Sequence, residues 1–167
     1  MANILSVAGW KVTGLRCPDH EITLIEENKP CAVTLIQRPN GTGKTTTLNL
    51  IRAALAGQPL DSSWSRERLL EFRKKDSENK YGTFKLSLLF NNKRLTIEMT
   101  FDFEMGEAPR YTTTYGSGMQ DGHEPPRDLK QFFRPEFVNF FVTLLVCCDH
   151  MLVAGRCSIS ESALASL

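Results

Sequence analysis

"LIQRPNGTGKTTTLNLI", Leu35 to Ile51, is the stretch on which the reading of this chain turns. Its spacing is that of a phosphate-binding loop, G-x-x-x-x-G-K-[ST], with Arg38 standing where the first glycine is usual. Gly41 and Gly43 fall where such a loop needs positive φ or close approach of the backbone. Small residues there let consecutive N–H groups turn inward around a phosphate, and the following helix points its positive end at the same anion. The amides between Asn40 and Thr45, including that of Thr42, are therefore expected to curl around a triphosphate behind Pro39. Lys44 would reach the β- and γ-phosphates and Thr45 would offer its hydroxyl to a magnesium ion. Thr46 would help to hold the α-phosphate. The competing reading is a glycine-rich turn that merely caps a helix; the lysine, the hydroxyl and the strand–loop–helix context favour the nucleotide site. Arg38 is compatible with it, because a residue before proline is pushed to extended torsions and needs no left-handed conformation.

The flanks supply the strand and the helix independently of the glycines. "CAVTLIQ" (Cys31 to Gln37) is β-branched and nearly all apolar, which predicts a strand buried on both faces, as in a mostly parallel sheet. From about Lys44 to Ala56, Leu48, Ile51 and Leu55 recur on one helical face. Gly57 supplies a C-terminal cap and Pro59 a stop.

Upstream, residues 4–15 predict a first strand in which Gly9 marks a bulge or close approach. "RCPD" (Arg16 to Asp19) is a turn and "HEITLI" (His20 to Ile25) a second strand. Downstream, residues 61–80 interleave Arg66, Arg68, Arg73, Lys74 and Lys75 with Glu67, Glu71 and Asp76, which predicts a solvated short helix rather than a nucleic-acid patch. The period then changes to two. Phe84, Leu86, Leu88 and Phe90 share one face; Leu95, Ile97, Met99, Phe101 and Phe103 share the next, and "RYTTTY" follows. Residues 83–115 thus predict an antiparallel meander with one wet face. Residues 116–126 read as a flexible loop, "RDLKQFF" as a short helix and "RPEFVNFFVTLLV" as a turn into another apolar strand.

Length and composition fit one soluble domain: 167 residues, 41% hydrophobic and 23% charged. A net charge of +1 argues neither for nor against a polyanionic partner. The N-terminus lacks a secretory pattern, and the longest apolar run, near Phe140 to Cys148, is about half of the ~18 residues a membrane span needs. No membrane association and a cytoplasmic location are expected. The five cysteines form no C-x-x-C pair, and Cys147, Cys148 and His150 read as a buried segment rather than a metal site. His20, His123 and His150 make no metal spacing, no nucleophile signature occurs, and Trp10 and Trp64 read as packing residues.

"RPNGTGKTTTLNLIRAALAG" resembles the Walker A segment of ABC-type head ATPases: those of SMC proteins, of recombination-repair ATPases in the same clan, and of bacterial defence ATPases linked to DNA phosphorothioation. Their loop commonly reads G-P-N-G-x-G-K-[ST]. The chain matches at Pro39, Asn40, Gly41, Gly43, Lys44 and Thr45 and departs at Arg38. The resemblance extends, at the level of pattern, over about residues 4–142. It implies an α/β, AAA-like P-loop NTPase with a mostly parallel core sheet, an antiparallel β-meander subdomain and an incomplete head. Residues 1–142 would be the nucleotide-binding lobe and 143–167 a tail of uncertain structure. Arg16 would lie near the base and ribose, and ATP and Mg2+ would be the cofactors.

The family's glutamine loop, long coiled coil, LSGG-type signature and Asp-Glu-terminated strand have no counterpart in this sequence; "VCCD", ending at Asp149, is followed by "HM". In phosphoryl transfer the loop positions the nucleotide, but a further carboxylate must orient the attacking water. The resemblance therefore implies Mg-ATP binding with little hydrolysis by the chain alone, and ATPase activity only when a C-terminal half or a second head completes it. DNA would be engaged through the assembled complex, in repair, chromosome organisation or anti-phage defence. Two alternatives stand beside this reading. One is a regulatory or interaction fragment that pairs with a full-length head. The other is a small stand-alone kinase or GTPase, against which "ENKP" (Glu27 to Pro30) counts: it lacks the aspartate of a base-reading N-K-x-D motif and precedes the loop.

Overall fold

The computed structural model describes residues 3–26, 29–30, 33–37, 39, 41–59, 63–75, 78–122, 133, 138 and 151–159. Strand β1 (Asn3–Thr13) turns through "GLRCPD" and returns as β2 (His20–Thr23). β3 (Ile25–Glu26) and β4 (Lys29–Pro30) form a small ladder of their own. β5 (Val33–Gln37) leads to the phosphate-loop segment, and α1 (Lys44–Ala56) follows it. After the short α2 (Arg66–Leu70) come β6 (Tyr81–Phe90), β7 (Lys93–Asp102), β8 (Arg110–Tyr115) and β9 (Gly118–Gly122). The last element is β10 (Met151–Ile159).

Eight strands make one sheet in the order β5-β10-β1-β6-β7-β8-β9, with β2 also paired to β1. β1 is its centre. One edge of β1 is taken by β6, from Leu5↔Phe90 to Thr13↔Thr83; the other is shared by β10, at Asn3 to Ser6, and β2, at Gly9 to Val12. Gly9 does mark a bulge: the register against β6 shifts between Val7 and Gly9. Its φ is +149°, and a Cβ there would overlap the carbonyl oxygen of Ile22 on β2.

The meander follows its alternation. Phe84, Leu86, Leu88 and Phe90 on β6, and Leu95, Ile97, Met99 and Phe101 on β7, are all buried. Register brings Phe84 opposite Met99, Leu86 opposite Ile97, and Met99 opposite Tyr111 on β8. The other face is wet, and Lys11 and Lys85 pair there with Glu21 and Glu98 at 3.1 and 3.7 Å. The inner face packs on α1. That helix buries Thr47, Leu50, Ile51, Ala53, Ala54 and Leu55, whereas Leu48 is only half-buried. Ile51 and Leu55 of the expected Leu48, Ile51, Leu55 face are thus buried, and the stripe widens through Thr47, Leu50, Ala53 and Ala54. The small Ala53 and Ala54 let the helix sit close to the sheet along this line, a preference that side-chain hydrophobicity alone does not express. Trp64, Phe72 and Phe101 form an aromatic triangle with ring centroids 5.7–5.9 Å apart, fixing the segment around α2 to the end of β7.

Three features differ from, or add to, the sequence reading. A mostly parallel core was expected around β5, but every pairing among the described residues is antiparallel, β5 with β10 included (Met151↔Gln37 to Gly155↔Val33). A short apolar run specifies burial on both faces and says nothing about the direction of the neighbour that buries it. Residues 118–122, read as loop, form the edge strand β9, joined to β8 by the two-residue turn Gly116-Ser117. β9 is exposed along nearly all its length, so it carries no apolar alternation by which to be seen. The segment 143–167, set apart as a tail, contains β10, which lies between β5 and β1. The short helix "RDLKQFF" and the strand in "RPEFVNFFVTLLV" lie outside the described residues except for Phe133 and Val138, both buried.

Candidate functional site

The loop from β5 to α1 has the torsions its glycines foretold. Gly41 has φ +78° and Gly43 φ +83°, both in the left-handed region. Gly43 is the N-cap of α1, yet no side chain caps the helix there and no acidic residue lies in its first turn. The positive end of the helix, with no cap from the Gly43 position and no acid in its first turn, favours an anion.

Pro39 closes the loop on the other side. Its carbonyl oxygen accepts from the Thr42 hydroxyl at 2.8 Å and from the Lys44 ammonium at 3.1 Å. Lys44 thus folds back across the loop instead of running out along the helix. The Lys44 ammonium, the uncapped amides and Gly41 all belong to one short turn. Gly41 is exposed, with nothing within 4 Å of where its Cβ would be. Thr45 is exposed, Thr46 half-buried and Thr47 fully buried against the core. This arrangement suits a polyphosphate: a helix start without a side-chain cap, a lysine ammonium, an exposed hydroxyl, and room beside Gly41 for the ligand to approach the backbone. Arg38 and Asn40 lie outside the described residues.

Arg16 comes from the β1–β2 turn. Its backbone N–H donates to the Phe72 carbonyl at 2.8 Å and its guanidinium reaches the Glu71 carbonyl at 3.5 Å. The turn is further tied by the Gly14 N–H to the Asp19 carboxylate at 2.9 Å and by a bridge between Leu15 and Arg73. The neighbour of Arg16, Cys17, is buried and touches Gly43, so the fold brings the turn and the phosphate loop side by side. Sequence reasoning found the turn and the loop but not Cys17, nor the Glu71–Phe72 segment that holds the turn. The signal available was weak: a proline and an aspartate marking a turn, with nothing to say what the turn leans on.

A concavity of about 300 Å3 opens elsewhere, on the wet face of the sheet around Gly9, among Lys11, Glu21, Lys85, Ser87 and Arg94. None of the loop residues lines it.

A left-handed glycine pair before Lys-Thr at the start of a helix, reached from a strand, has the backbone form of a phosphate loop. In agreement, the family model of the AAA domain matches residues 14–148, most of the chain, and the protein belongs to that family of P-loop ATPases. No curated protein matches it. Among the described residues no helix is long and apolar enough to cross a membrane.

Proposed function

We propose that this chain binds Mg-ATP through Pro39 to Thr46 and forms the N-terminal half of a DNA-associated, SMC-like head ATPase, with little hydrolysis on its own. The observation that carries the reading is the closed loop itself: two left-handed glycines at an uncapped helix start, with Lys44 drawn back over the Pro39 carbonyl. On ATP binding the Lys44 ammonium exchanges that carbonyl for β- and γ-phosphate oxygens, a charge-assisted bond replacing a neutral one. The amides from Asn40 to Thr45 wrap the β-phosphate, Thr46 takes the α-phosphate, and Arg16 faces the base and ribose from the neighbouring turn. Magnesium would be held by the Thr45 hydroxyl and would neutralise charge between the phosphates.

The SMC-like assignment rests on the loop sequence and on the order of elements: the β1–β2 pair and β5 ahead of the loop, α1 directly after it, then the antiparallel meander β6–β8. β5 ends the sheet order, so among the described residues one of its edges carries no strand. The parallel strands of a complete core, supplied by a C-terminal half or partner chain, would add there. That half would also bring the carboxylate that orients the attacking water, and a second head would close on the nucleotide. Repair, chromosome organisation and phage defence are the settings such heads serve. The same open edge also suits a regulatory fragment that docks on a full-length head.

Calorimetric titration of Mg-ATP into the wild type and Lys44→Ala, beside a turnover assay, tests this. Binding by the wild type, a loss of ten-fold or more in Lys44→Ala (about 1.4 kcal/mol or more), and background turnover are expected. Equal binding by both proteins, or robust turnover by the solitary chain, would refute it.

A further inference from the structure

We propose that Cys17 is a positioning residue for the phosphate loop: carried by the β1–β2 turn, its side chain occupies the place a Cβ on Gly43 would take and so sets the backbone from which the loop presents its amides. This deepens, and rests on, the nucleotide-binding reading above.

The two loop glycines are glycine for different reasons. Around Gly41 a Cβ would meet nothing within 4 Å, so that position serves torsion and open approach. Around Gly43 the three nearest heavy atoms to an added Cβ all belong to Cys17: its Cβ would be overlapped, with Cα at 3.3 Å and Sγ at 3.5 Å. Gly43 is thus the point where another segment of the chain leans on the loop. Because Gly43 has no side-chain cap, the loop draws no stiffness from that source. The contact with Cys17 supplies a wall in its place.

A wall must itself be fixed, and this one is. Cys17 is only 2% exposed. The residue before it is bonded through its N–H to the Phe72 carbonyl at 2.8 Å, and Leu15 bridges Arg73. On the far side the Pro18 carbonyl is held by the His20 ring at 2.7 Å, and the Trp10 indole holds that ring in turn at 3.0 Å. Binding groups perform only when held within about 0.5 Å by neighbours that are themselves locked. The β1–β2 turn meets that condition for Gly43, and through it for the amides of Lys44 and Thr45.

The test uses the full chain, Mg2+ and a fluorescent N-methylanthraniloyl-ATP, with melting temperature measured on every variant. Gly43→Ala is expected to weaken binding strongly, by roughly 30-fold or more, and the double variant Gly43→Ala/Cys17→Gly to recover at least about five-fold of that, because the opposing Cβ is gone. Cys17→Ala keeps the contacting Cβ and should stay within about three-fold of the wild type, whereas Cys17→Val crowds Gly43 and should lose about five-fold or more. A merely structural cysteine would move melting temperature without this rescue. If the double variant binds no better than Gly43→Ala while the wild type binds and Lys44→Ala does not, the loop reading stands and the positioning role falls. If Gly43→Ala does not fold, equal binding by Cys17→Ala and Cys17→Val overturns the role by itself. Wild-type binding that Lys44→Ala leaves unchanged, or no binding at all, overturns both readings.

Discussion

The Tyr111 hydroxyl donates to the Ala53 carbonyl at 2.9 Å in the core. The same carbonyl accepts the N–H of Gly57, also at 2.9 Å, as part of the C-terminal cap of α1. One backbone oxygen thus joins the meander to the far end of the helix whose start forms the phosphate loop. Tyr111→Phe should cost about 1 kcal/mol rather than 2–3, because Gly57 still satisfies the carbonyl when the hydroxyl is removed. Thermal unfolding should show a drop of about 2–4 °C. A drop several times larger would mean that the hydroxyl supports more than this bond.

The wet and dry faces of the meander give a second expectation. Ile97 is fully buried between Leu86 and Thr113, while its neighbour Glu98 lies on the outer face, 3.7 Å from Lys85. Ile97→Ala should destabilise by about 2–5 kcal/mol through lost burial and the cavity left behind. Glu98→Ala should change stability by less than about 1 kcal/mol, the range of an exposed ion pair. Urea unfolding separates the two, and similar costs would contradict the register.

The β6–β7 turn is built from Asn91 and Asn92, with φ +50° and +62°. Both torsions belong to a type I′ turn, in which Asn-Gly is the favoured pair. Asn92→Gly should therefore stabilise slightly, by about 0.5 kcal/mol, with a rise of about 1–2 °C in the melting temperature. A fall would show that the Asn92 side chain contributes more than its torsion costs.

His20 is held between two partners that dictate where its proton sits. The Trp10 indole can only donate, so Nε2 accepts at 3.0 Å, and the Pro18 carbonyl can only accept, so Nδ1 carries the hydrogen at 2.7 Å. Long-range proton–nitrogen NMR should report the Nδ1–H tautomer, the minority form for a free imidazole. Observation of Nε2–H would break the Trp10 contact and, with it, the outer anchor of the turn that carries Cys17.

Arg38 stands where a glycine is usual in loops of this kind. A residue before proline favours extended torsions, so a non-glycine is expected to be tolerated there, with its Cβ acting through crowding. Arg38→Gly should bind nucleotide at least as tightly as the wild type in the same titration. Weaker binding would show that the arginine side chain holds the phosphates.

The parts of this protein that repeat or that carry steric demands were legible in the chain itself. α1 runs from Lys44 to Ala56 as expected, because a loop signature on one side and Gly57 and Pro59 on the other bound it chemically. β6 and β7 were legible because ten-residue alternation has one reading. Gly41 and Gly43 announced their positive φ because a following Lys-Thr leaves few other uses for two glycines. The partners of these elements were not local properties, and only tertiary structure decided them. β5 is apolar whichever way its neighbour runs, and β10, more than a hundred residues later, pairs with it antiparallel. β9, lying at the edge in water, needs no apolar face and so left no trace of itself. Nothing near Cys17 marks it as the residue that meets Gly43; that contact exists because the β1–β2 turn and the phosphate loop are brought together by a sheet and a helix that neither segment encodes alone.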